Sequence, residues 1–404
     1  MFSKVQQRIL FGCFLAYTAA YIGRLNLAQA LPGIAQTLGL TGVQLGTLQT
    51  VFALTYASGQ FIVGMAADRV SPRKLILTGL AATALFNALF GLASSYPALL
   101  ALWTLNGIAQ SLMWTPIVRL IAGWCVGKTR EQAGFVMSAA TIIGHLLSWA
   151  IAGWMATVFS WRLSFIVPGL IILAVWPISH LLIRDYPLSE AGKNDMNGER
   201  QVAMPFKTLI AGTGLWAILI CCVATGFVRD SVTTWGPSML ARTFDHAWGG
   251  SASLSLIIPL INIFGLFLGR RCFLWMHSRT RMAVMTLLFC GVLSALLLYG
   301  FGTSNPLLLA VLLGLTCAIL YANTPLLTAL IPMEYASANR VALVAGLVDC
   351  TIYLGSGLAG ILTGYMNDLA GWNMVFLGWV IACLLGVAFA GASMHEGKAL
   401  TLRQ

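Results

Sequence analysis

AYIGRLNLAQALP, residues 20–32, contains one charged residue, Arg24, within a long apolar stretch. No charged residue occurs in residues 12–23 or in residues 25–67. Apolar runs of this length are typical of helices that cross a lipid bilayer, which need about 20 apolar residues. A charge inside such a helix is costly, and its first interpretation is therefore a functional one.

The composition extends this interpretation to the whole chain of 404 residues. Hydrophobic residues make up 59% of the sequence and charged residues 9%, whereas ordinary soluble domains are about 25% charged. Uncharged runs occupy residues 75–118, 132–161, 163–183 and 282–333. The sequence therefore predicts an all-α membrane protein and excludes a water-soluble globular domain.

We predict twelve transmembrane helices in two six-helix halves. The helices lie near residues 9–31, 45–67, 75–94, 98–118, 133–156, 163–183, 209–234, 251–273, 282–301, 306–330, 341–364 and 372–393. The halves are residues 1–183 and 209–404. A polar segment at 184–208, with charges of both signs and with Gly, Asn and Pro, is expected to be a cytoplasmic linker.

Prolines are expected to bend, interrupt or end several of these helices, because a helical proline removes one backbone hydrogen bond. The five prolines concerned are Pro116, Pro168, Pro237, Pro259 and Pro325. Such bends could help cavity-lining helices to close at one end while they open at the other.

The distribution of Lys and Arg predicts the orientation of the chain, because these residues are retained on the cytoplasmic side. With both termini in the cytoplasm, cytoplasmic segments hold 19 of the 23 Lys and Arg and outer loops hold 2. We therefore expect a multi-pass protein of a bacterial inner membrane, surrounded by lipid and functional as a monomer. The net charge of +11 follows from this bias and does not indicate a nucleic-acid partner.

The two arginines inside helices, Arg24 and Arg229, occupy corresponding positions in the first helix of each half. Each precedes a proline by eight residues, Pro32 and Pro237, which suggests an internal duplication. If the halves pack about a two-fold axis, the guanidinium groups can face a shared cavity. The alternative is that one or both extend to a membrane interface.

A guanidinium group presents a planar fork of donors that suits phosphate, phosphonate, sulfonate or carboxylate oxygens. The pair therefore predicts a small anionic substrate. Two facing cations would also repel each other without an anion between them. This repulsion favours exchange, in which one anion must enter before the cavity reverses.

Several stretches resemble a known family. GMAADRVSPRK (64–74) resembles the signature loop of the major facilitator superfamily. YIGRLNLAQALP (21–32), FVRDSVTTWGPSML (227–240) and AGLVDCTIYLGSGLAGILTGYMNDLAGW (345–372) are similar to helices 1, 7 and 11 of its organophosphate:phosphate antiporter family, which includes glycerol-3-phosphate and hexose-phosphate carriers.

This resemblance implies rocker-switch exchange of organic anions for phosphate, without ATP. It implies that Arg24 and Arg229 grip the phosphoryl group. Three charged residues of the signature loop, Asp68, Arg69 and Arg73, would latch the cytoplasmic ends of helices between states.

The sequence departs from the glycerol-phosphate carriers at two site positions. Gln60 stands in place of a lysine of helix 2, and Thr141 in place of a histidine of helix 5. We predict both as substrate ligands, although Gln60 could equally form a hydrogen bond between helices. Tyr21 and Asn26, which flank Arg24, and Tyr353, one turn after Asp349, complete the predicted binding set.

Acidic residues near the predicted site add negative charge. Asp349 stands where the family usually has a small residue. It could be paired, carry a proton, or contact a cationic or hydroxyl group of the substrate. Asp230 could pair with Arg229 or cap a local bend of its helix. His145, the third coupling candidate, could instead pack against a neighbouring helix.

Two alternatives to exchange therefore remain open. The first is a proton-coupled symporter of an organic carboxylate or sulfonate. The second is a carrier-like membrane sensor of a phosphorylated metabolite. We do not expect an enzyme, a cofactor or a metal site. The sequence has no GxxxxGK[ST] motif, and the spacing of its nine cysteines is not that of a metal site.

Overall fold

The computed structural model of the chain describes residues 2–66, 70–125, 128–185, 210, 215–243, 248–276, 279–300, 305–325, 327–328 and 341–401. This part of the chain contains fourteen α-helical segments. They are α1 (Lys4–Leu38), α2 (Gly42–Ala66), α3 (Pro72–Leu92), α4 (Tyr96–Ser111), α5 (Trp114–Trp124), α6 (Lys128–Val158), α7 (Leu163–Leu182), α8 (Leu215–Thr243), α9 (Trp248–Ser255), α10 (Ile257–Met276), α11 (Arg279–Gly300), α12 (Pro306–Pro325), α13 (Val341–Ala370) and α14 (Trp372–Thr401).

These segments account for the twelve predicted spans, because two of the spans are divided in two. Eight of the described helices are long and apolar enough to cross a membrane. Across the described helices, large apolar side chains are exposed, among them Phe61, Trp154, Phe264 and Phe267. In water such surfaces would associate, whereas in a bilayer they face lipid. The predicted all-α membrane fold of twelve helices in two halves is confirmed.

Two prolines explain the divided spans. A proline cannot donate to the carbonyl group four residues earlier, and its ring collides with that carbonyl. The break between α4 and α5 begins at Leu112, four residues before Pro116. In the same way, α9 ends at Ser255, four residues before Pro259.

The other prolines act differently. Pro168 lies inside α7 and Pro237 inside α8, and both helices continue past them. The described part of α12 ends at Pro325. A membrane helix tolerates an interior proline where neighbouring groups satisfy the backbone carbonyl that the proline leaves without its usual donor.

The helices belong to two compact units. Unit 1 comprises Met1–Leu40, Val51–Glu199 and His246–Leu256, and unit 2 comprises Thr41–Thr50, Arg200–Asp245 and Ile257–Gln404. In unit 1, α1 packs against α6 and α7, and α3 against α7. In unit 2, α8 packs against α13 and α14, and α10 against α12. Each unit thus contains most of one sequence half and a short segment of the other.

In unit 1, buried apolar side chains form a core to which α1 contributes Ile9, Cys13 and Ala16. The short helix α9 joins this unit through a polar contact, in which the Gln29 amide donates to the Ser255 hydroxyl at 2.6 Å. Both side chains are buried. A buried amide–hydroxyl pair satisfies groups that would otherwise be costly away from water.

In unit 2, the first turns of α2 pack closely against α13. A Cβ atom at Gly46 would lie 2.0 Å from the carbonyl oxygen of Gly360, so the two backbones meet directly. The Asp368 carboxylate accepts hydrogen bonds from the backbone N–H groups of Gly42 and Val43, both at 3.0 Å. It therefore caps the positive N-terminal end of α2.

The contact between α8 and α13 also depends on small residues. A Cβ atom at Gly226 would lie 2.1 Å from the carbonyl oxygen of Ile352, and one at Gly355 would lie 2.2 Å from that of Val223. Small residues allow membrane helices to approach closely enough for extensive van der Waals contact. This contact brings Arg229 and the Asp349–Tyr353 segment into the same unit.

We expect Gly355→Ala to lower the thermal unfolding midpoint of the purified protein. The added methyl group would collide with the α8 backbone, and overpacking of this kind costs about 1–3 kcal/mol. Gly346→Ala is the matched control on α13, since no atom of the described residues lies within 4 Å of its would-be Cβ. Equal midpoints for the two variants in the same detergent would contradict this packing.

Candidate functional site

The Arg24 side chain is buried in unit 1 and held by neutral groups. Its side chain is 8% exposed. The Nε atom donates to Oε1 of Gln110 at 2.7 Å. The guanidinium carbon lies 4.7 Å from the ring centroid of Tyr21 and 4.3 Å from that of Tyr56. Cation–π contacts of this kind are attractive, and they orient a guanidinium without adding negative charge.

A cluster of side-chain amides at the backbone carbonyl of Gly23, the residue before Arg24, fixes the orientation of Gln110. The carbonyl oxygen of Gly23 accepts hydrogen bonds from the amides of Asn87 at 3.1 Å, Asn106 at 3.1 Å and Gln110 at 3.2 Å. All three side chains are fully buried. Because the Gln110 amide nitrogen donates to Gly23, its oxygen is directed toward Arg24.

Gly23 makes this cluster possible. A Cβ atom there would lie 2.7 Å from Nδ2 of Asn87 and 2.7 Å from Cδ1 of Ile172. The sequence analysis did not identify this cluster. The sequence did contain a signal, namely Asn87, Asn106 and Gln110 in otherwise apolar runs. Polar residues inside membrane helices are costly and therefore usually have a role.

Asn26 lies on the face of α1 that packs against α3 and α7. Its amide nitrogen donates to Oδ1 of Asn87 at 2.9 Å and to the carbonyl oxygen of Ser164 at 2.9 Å. The side chain is fully buried. These contacts link three helices, so they give Asn26 a packing role. The predicted contact with substrate stays a prediction.

Gln60 connects to Arg24 through an aromatic ring. Its amide nitrogen donates to the hydroxyl of Tyr56, whose ring lies against the guanidinium of Arg24. Its Oε1 accepts from the Thr115 hydroxyl at 3.0 Å, which joins α2 to α5. Gln60 therefore lies in the immediate surroundings of Arg24 and also links two helices.

Aromatic rings extend the Arg24 surroundings toward α5. The rings of Tyr17 and Tyr21 are 5.2 Å apart in an edge arrangement, and Tyr17 stacks on Trp114 at 4.9 Å. Offset and edge-on ring pairs are the favoured arrangements. Tyr21, a predicted ligand, thus contacts both Arg24 and this aromatic group.

The two predicted residues of α6 lie where α6 crosses α1. A Cβ atom at Gly144 would lie 2.5 Å from Cβ of Tyr21, which locates the crossing. His145 is 4% exposed, and its ring meets the edge of Trp149 at 4.7 Å. Thr141 is half-buried one turn earlier. Trp149 lies one turn later on α6 itself, so the packing of His145 against a neighbouring helix stays a prediction.

Arg229 in unit 2 is paired with its neighbour in the chain. Its Nε atom lies 2.8 Å from Oδ1 of Asp230, and its Nη2 atom lies 3.1 Å from Oδ2. The guanidinium carbon also lies 5.6 Å from the ring centroid of Tyr321 on α12. Asp230 therefore provides a bidentate counterion, which is the pairing considered from the sequence.

Asp349 and Tyr353 on α13 complete the surroundings of Arg229. Both interact electrostatically with its guanidinium group. Asp349 is half-buried. The structure thus brings together Arg229, Asp230, Asp349 and Tyr353 within unit 2. We call these four residues, with Tyr321, the Arg229 cluster.

The predicted gating residues are described only in part. Asp68 and Arg69 lie outside the described residues. The Arg73 backbone N–H donates to Oδ1 of Asp185 at 3.0 Å, and its Nη2 atom donates to the carbonyl oxygen of His180 at 2.9 Å. Arg73 therefore connects the beginning of α3 to the end of α7, and its predicted latching between states stays a prediction.

The described residues contain no group of three or more His, Cys, Asp or Glu side chains that could hold a metal ion. The chemistry that the structure places in the helices is therefore that of two arginines with their amide, phenol and carboxylate neighbours. These groups bind charged and hydrogen-bonding solutes by orientation and electrostatics.

Comparison with known proteins identifies full-length relatives. The Major Facilitator Superfamily model matches residues 13–332. A glycerol-3-phosphate transporter of Bacillus subtilis (strain 168) is 27% identical, over 98% of this chain and 94% of that protein. A probable hexose phosphate transport protein of Chlamydia pneumoniae is 25% identical, over 93% of this chain and 88% of that protein. These relatives confirm the resemblance that the sequence motifs indicated.

A solved structure shows the same fold. The crystal structure of a bacterial homologue of the human lysosomal transporter Spinster, in an inward-facing and unoccupied conformation, superposes with a TM-score of 0.81. It covers 99% of both chains at 18% sequence identity. At this identity the similarity concerns the fold alone.

We expect Gln110→Leu to weaken anion binding by about tenfold, because Arg24 loses the charge-assisted hydrogen bond that orients it. Asn106→Leu is the matched control: it also removes one amide donor from Gly23, but Asn106 does not bond to Arg24 in this network. Both variants should lose similar thermal stability in the absence of ligand.

Ligand-dependent thermal shifts, titrated with phosphate, measure the two apparent affinities. A role of Gln110 in packing alone predicts that the two variants keep the same phosphate affinity. That outcome would contradict its orienting role.

Proposed function

Since this chain belongs to the Major Facilitator Superfamily, we propose that it is a secondary transporter that carries a small organic anion by alternating access, in exchange for phosphate. The family is one of transporters and not of enzymes. The glycerol-3-phosphate and hexose phosphate proteins that this chain resembles along nearly its whole length support an organic phosphate, phosphonate or similar anion as substrate.

The observation that carries the proposal is a buried arginine on the first helix of each sequence half. Arg24 and Arg229 stand 205 positions apart, each eight residues before a proline. Each guanidinium is held in place by ordered neighbours within its own unit. Since burying a cation among apolar helices is costly, two such residues at equivalent positions support a shared role in binding an anion.

The neighbours of the arginines are proposed as the remaining ligands. Tyr21 and Gln60 belong to the surroundings of Arg24, and Tyr353 to the Arg229 cluster. Thr141 is proposed from its position on α6. Asn26 is retained as a weaker proposal, because its amide nitrogen already bonds to two groups on other helices.

We also propose the topology predicted from the sequence. The halves 1–183 and 209–404 would be joined by a cytoplasmic linker at 184–208, with both termini in the cytoplasm of a bacterial cell. The bias of Lys and Arg supports this orientation. One chain contains all twelve helices, which supports a functional monomer. Asp68, Arg69 and Arg73 would then lie in a cytoplasmic gating loop.

Proton-coupled symport is the second candidate, and Asp349 is the observation that favours it. This carboxylate lies near Arg229 on a membrane helix and is half-buried. An acid on a membrane helix beside the binding arginine could exchange a proton during each cycle. Asp230 and His145 are weaker candidates, because Asp230 pairs with Arg229 and His145 packs against Trp149.

Reconstituted in phosphate-loaded proteoliposomes, the protein is expected to exchange internal phosphate for labelled external phosphate. Arg24→Lys and Arg229→Lys should each slow exchange by about tenfold or more, because an ammonium group lacks the planar array of donors through which each guanidinium is held and oriented. Arg242→Lys is the control, since Arg242 is exposed at the end of α8. Exchange at the normal rate in both lysine variants would refute the proposed role of the two arginines. Tight binding of phosphate without exchange would favour a membrane sensor.

Under the exchange proposal, Asp349→Asn should leave the shape of the pH profile of phosphate exchange unchanged, because no proton crosses with the anion. Exchange should also proceed without a pH gradient. The measurement is the initial rate at a series of pH values for both proteins. A pH dependence that disappears in Asp349→Asn, together with uptake driven by a proton gradient, would instead identify a symporter.

A further inference from the structure

The Arg229 cluster contains more negative than positive formal charge. One guanidinium stands beside two carboxylates, that of Asp230 in bidentate contact and that of Asp349 within electrostatic range. A cluster with this charge attracts cations and repels a second anion, and burial among apolar helices strengthens both effects. It is therefore a poor site for a phosphate dianion alone.

The geometry of the Arg229–Asp230 pair also indicates a poor site for an anion. Asp230 accepts from Nε and from Nη2 of Arg229, at 2.8 and 3.1 Å. This edge of a guanidinium is one that a phosphate or carboxylate would engage through two parallel hydrogen bonds. A substrate oxyanion that approached this edge would have to displace the carboxylate of Asp230, which is the next residue in the chain and cannot diffuse away.

A buried acceptor lies next to the cluster. Asn262 on α10 is 4% exposed, and its amide nitrogen lies 3.6 Å from Sγ of Cys317. That sulfur lies 3.8 Å from the hydroxyl of Thr233, which donates to the backbone carbonyl of Arg229 at 2.9 Å. Asn262 is therefore linked to the turn of α8 that carries Arg229.

The Oδ1 atom of Asn262 has no hydrogen-bond partner in the described structure. A buried carbonyl oxygen without a donor is destabilising, and natural proteins rarely retain one without a reason. A donor supplied by the substrate would satisfy it. Two carboxylates and one amide oxygen are the acceptors that a substituted ammonium group, with up to three N–H donors, requires.

We propose that the Arg229 cluster binds an ammonium group, and that the physiological substrate is a zwitterion: a phosphonate or sulfonate that also carries an amine. Asp230, Asp349 and Asn262 accept hydrogen bonds from the ammonium. This inference rests on the proposed function and narrows its substrate class, because a simple phosphate ester lacks the cationic end.

Matched ligand pairs test the inference on the purified full-length protein. The probes are 2-aminoethylphosphonate against ethylphosphonate, and 2-aminoethanesulfonate against ethanesulfonate, with inorganic phosphate as the common reference. Thermal-shift titrations give an apparent affinity for each. The amine-bearing member of each pair should bind about tenfold more tightly or better, as expected for one charge-assisted hydrogen bond to a buried acceptor.

Variants at Asp349 test whether the ammonium group binds at the Arg229 cluster. Asp349→Asn should abolish the preference for the amine, and Asp349→Glu should retain most of it, because the charge is restored. Cys350→Ser is the neighbouring control, since Cys350 is exposed and belongs to no described contact of the cluster, and it should leave the preference unchanged. The comparison of ligands on the unmodified protein decides the question even if a variant does not fold.

The outcomes distinguish a failure of the zwitterion inference from a failure of the proposed function. If phosphate and ethylphosphonate bind but the amine gives no advantage, the zwitterion inference is overturned and the anion transporter stands. If the preference persists in Asp349→Asn, the assignment of the ammonium to this cluster is overturned. If none of the anions binds and no exchange occurs, the proposed function fails as well.

Discussion

A guanidinium group inside a membrane helix is stable only if the surrounding protein replaces the water that it has lost. Both buried arginines meet this requirement, and they do so in different ways. Arg24 is held by the amide oxygen of Gln110 and by the faces of two tyrosine rings. Arg229 is held by the adjacent carboxylate of Asp230. The first arrangement keeps the positive charge, and the second cancels it locally.

This difference supports separate chemical roles for the two units in the proposed carrier. In sequence, the two arginines are equivalent, each eight residues before a proline. In structure, both arginines have phenol neighbours, but unit 1 adds an amide beside Arg24 whereas unit 2 adds two carboxylates beside Arg229. A carrier built on this pattern suits a substrate with two unlike ends, which is the basis of the zwitterion proposal.

The packing that positions these groups depends on residues without side-chain bulk. Gly23 lets the amide cluster reach the backbone carbonyl beneath Arg24, and Gly226 and Gly355 let α8 and α13 approach until backbone meets backbone. Close approach is the main source of helix association in lipid, where burial of apolar surface between helices gains little. Prolines have the complementary effect, since Pro116 and Pro259 divide two spans into separate segments.

The sequence by itself determined the membrane-spanning class, the number of helices and the choice of Arg24 and Arg229, because charge is so rare in an apolar run that each charged residue is informative. The sequence also offered the pairing of Asp230 with Arg229, as one of several alternatives. Only the tertiary structure decided among them, and only it revealed that Gln110, Asn87 and Asn106 meet at Gly23. Hydrogen bonds between residues more than 60 positions apart depend on which helix faces meet, and helical periodicity does not encode this when nearly every face is apolar.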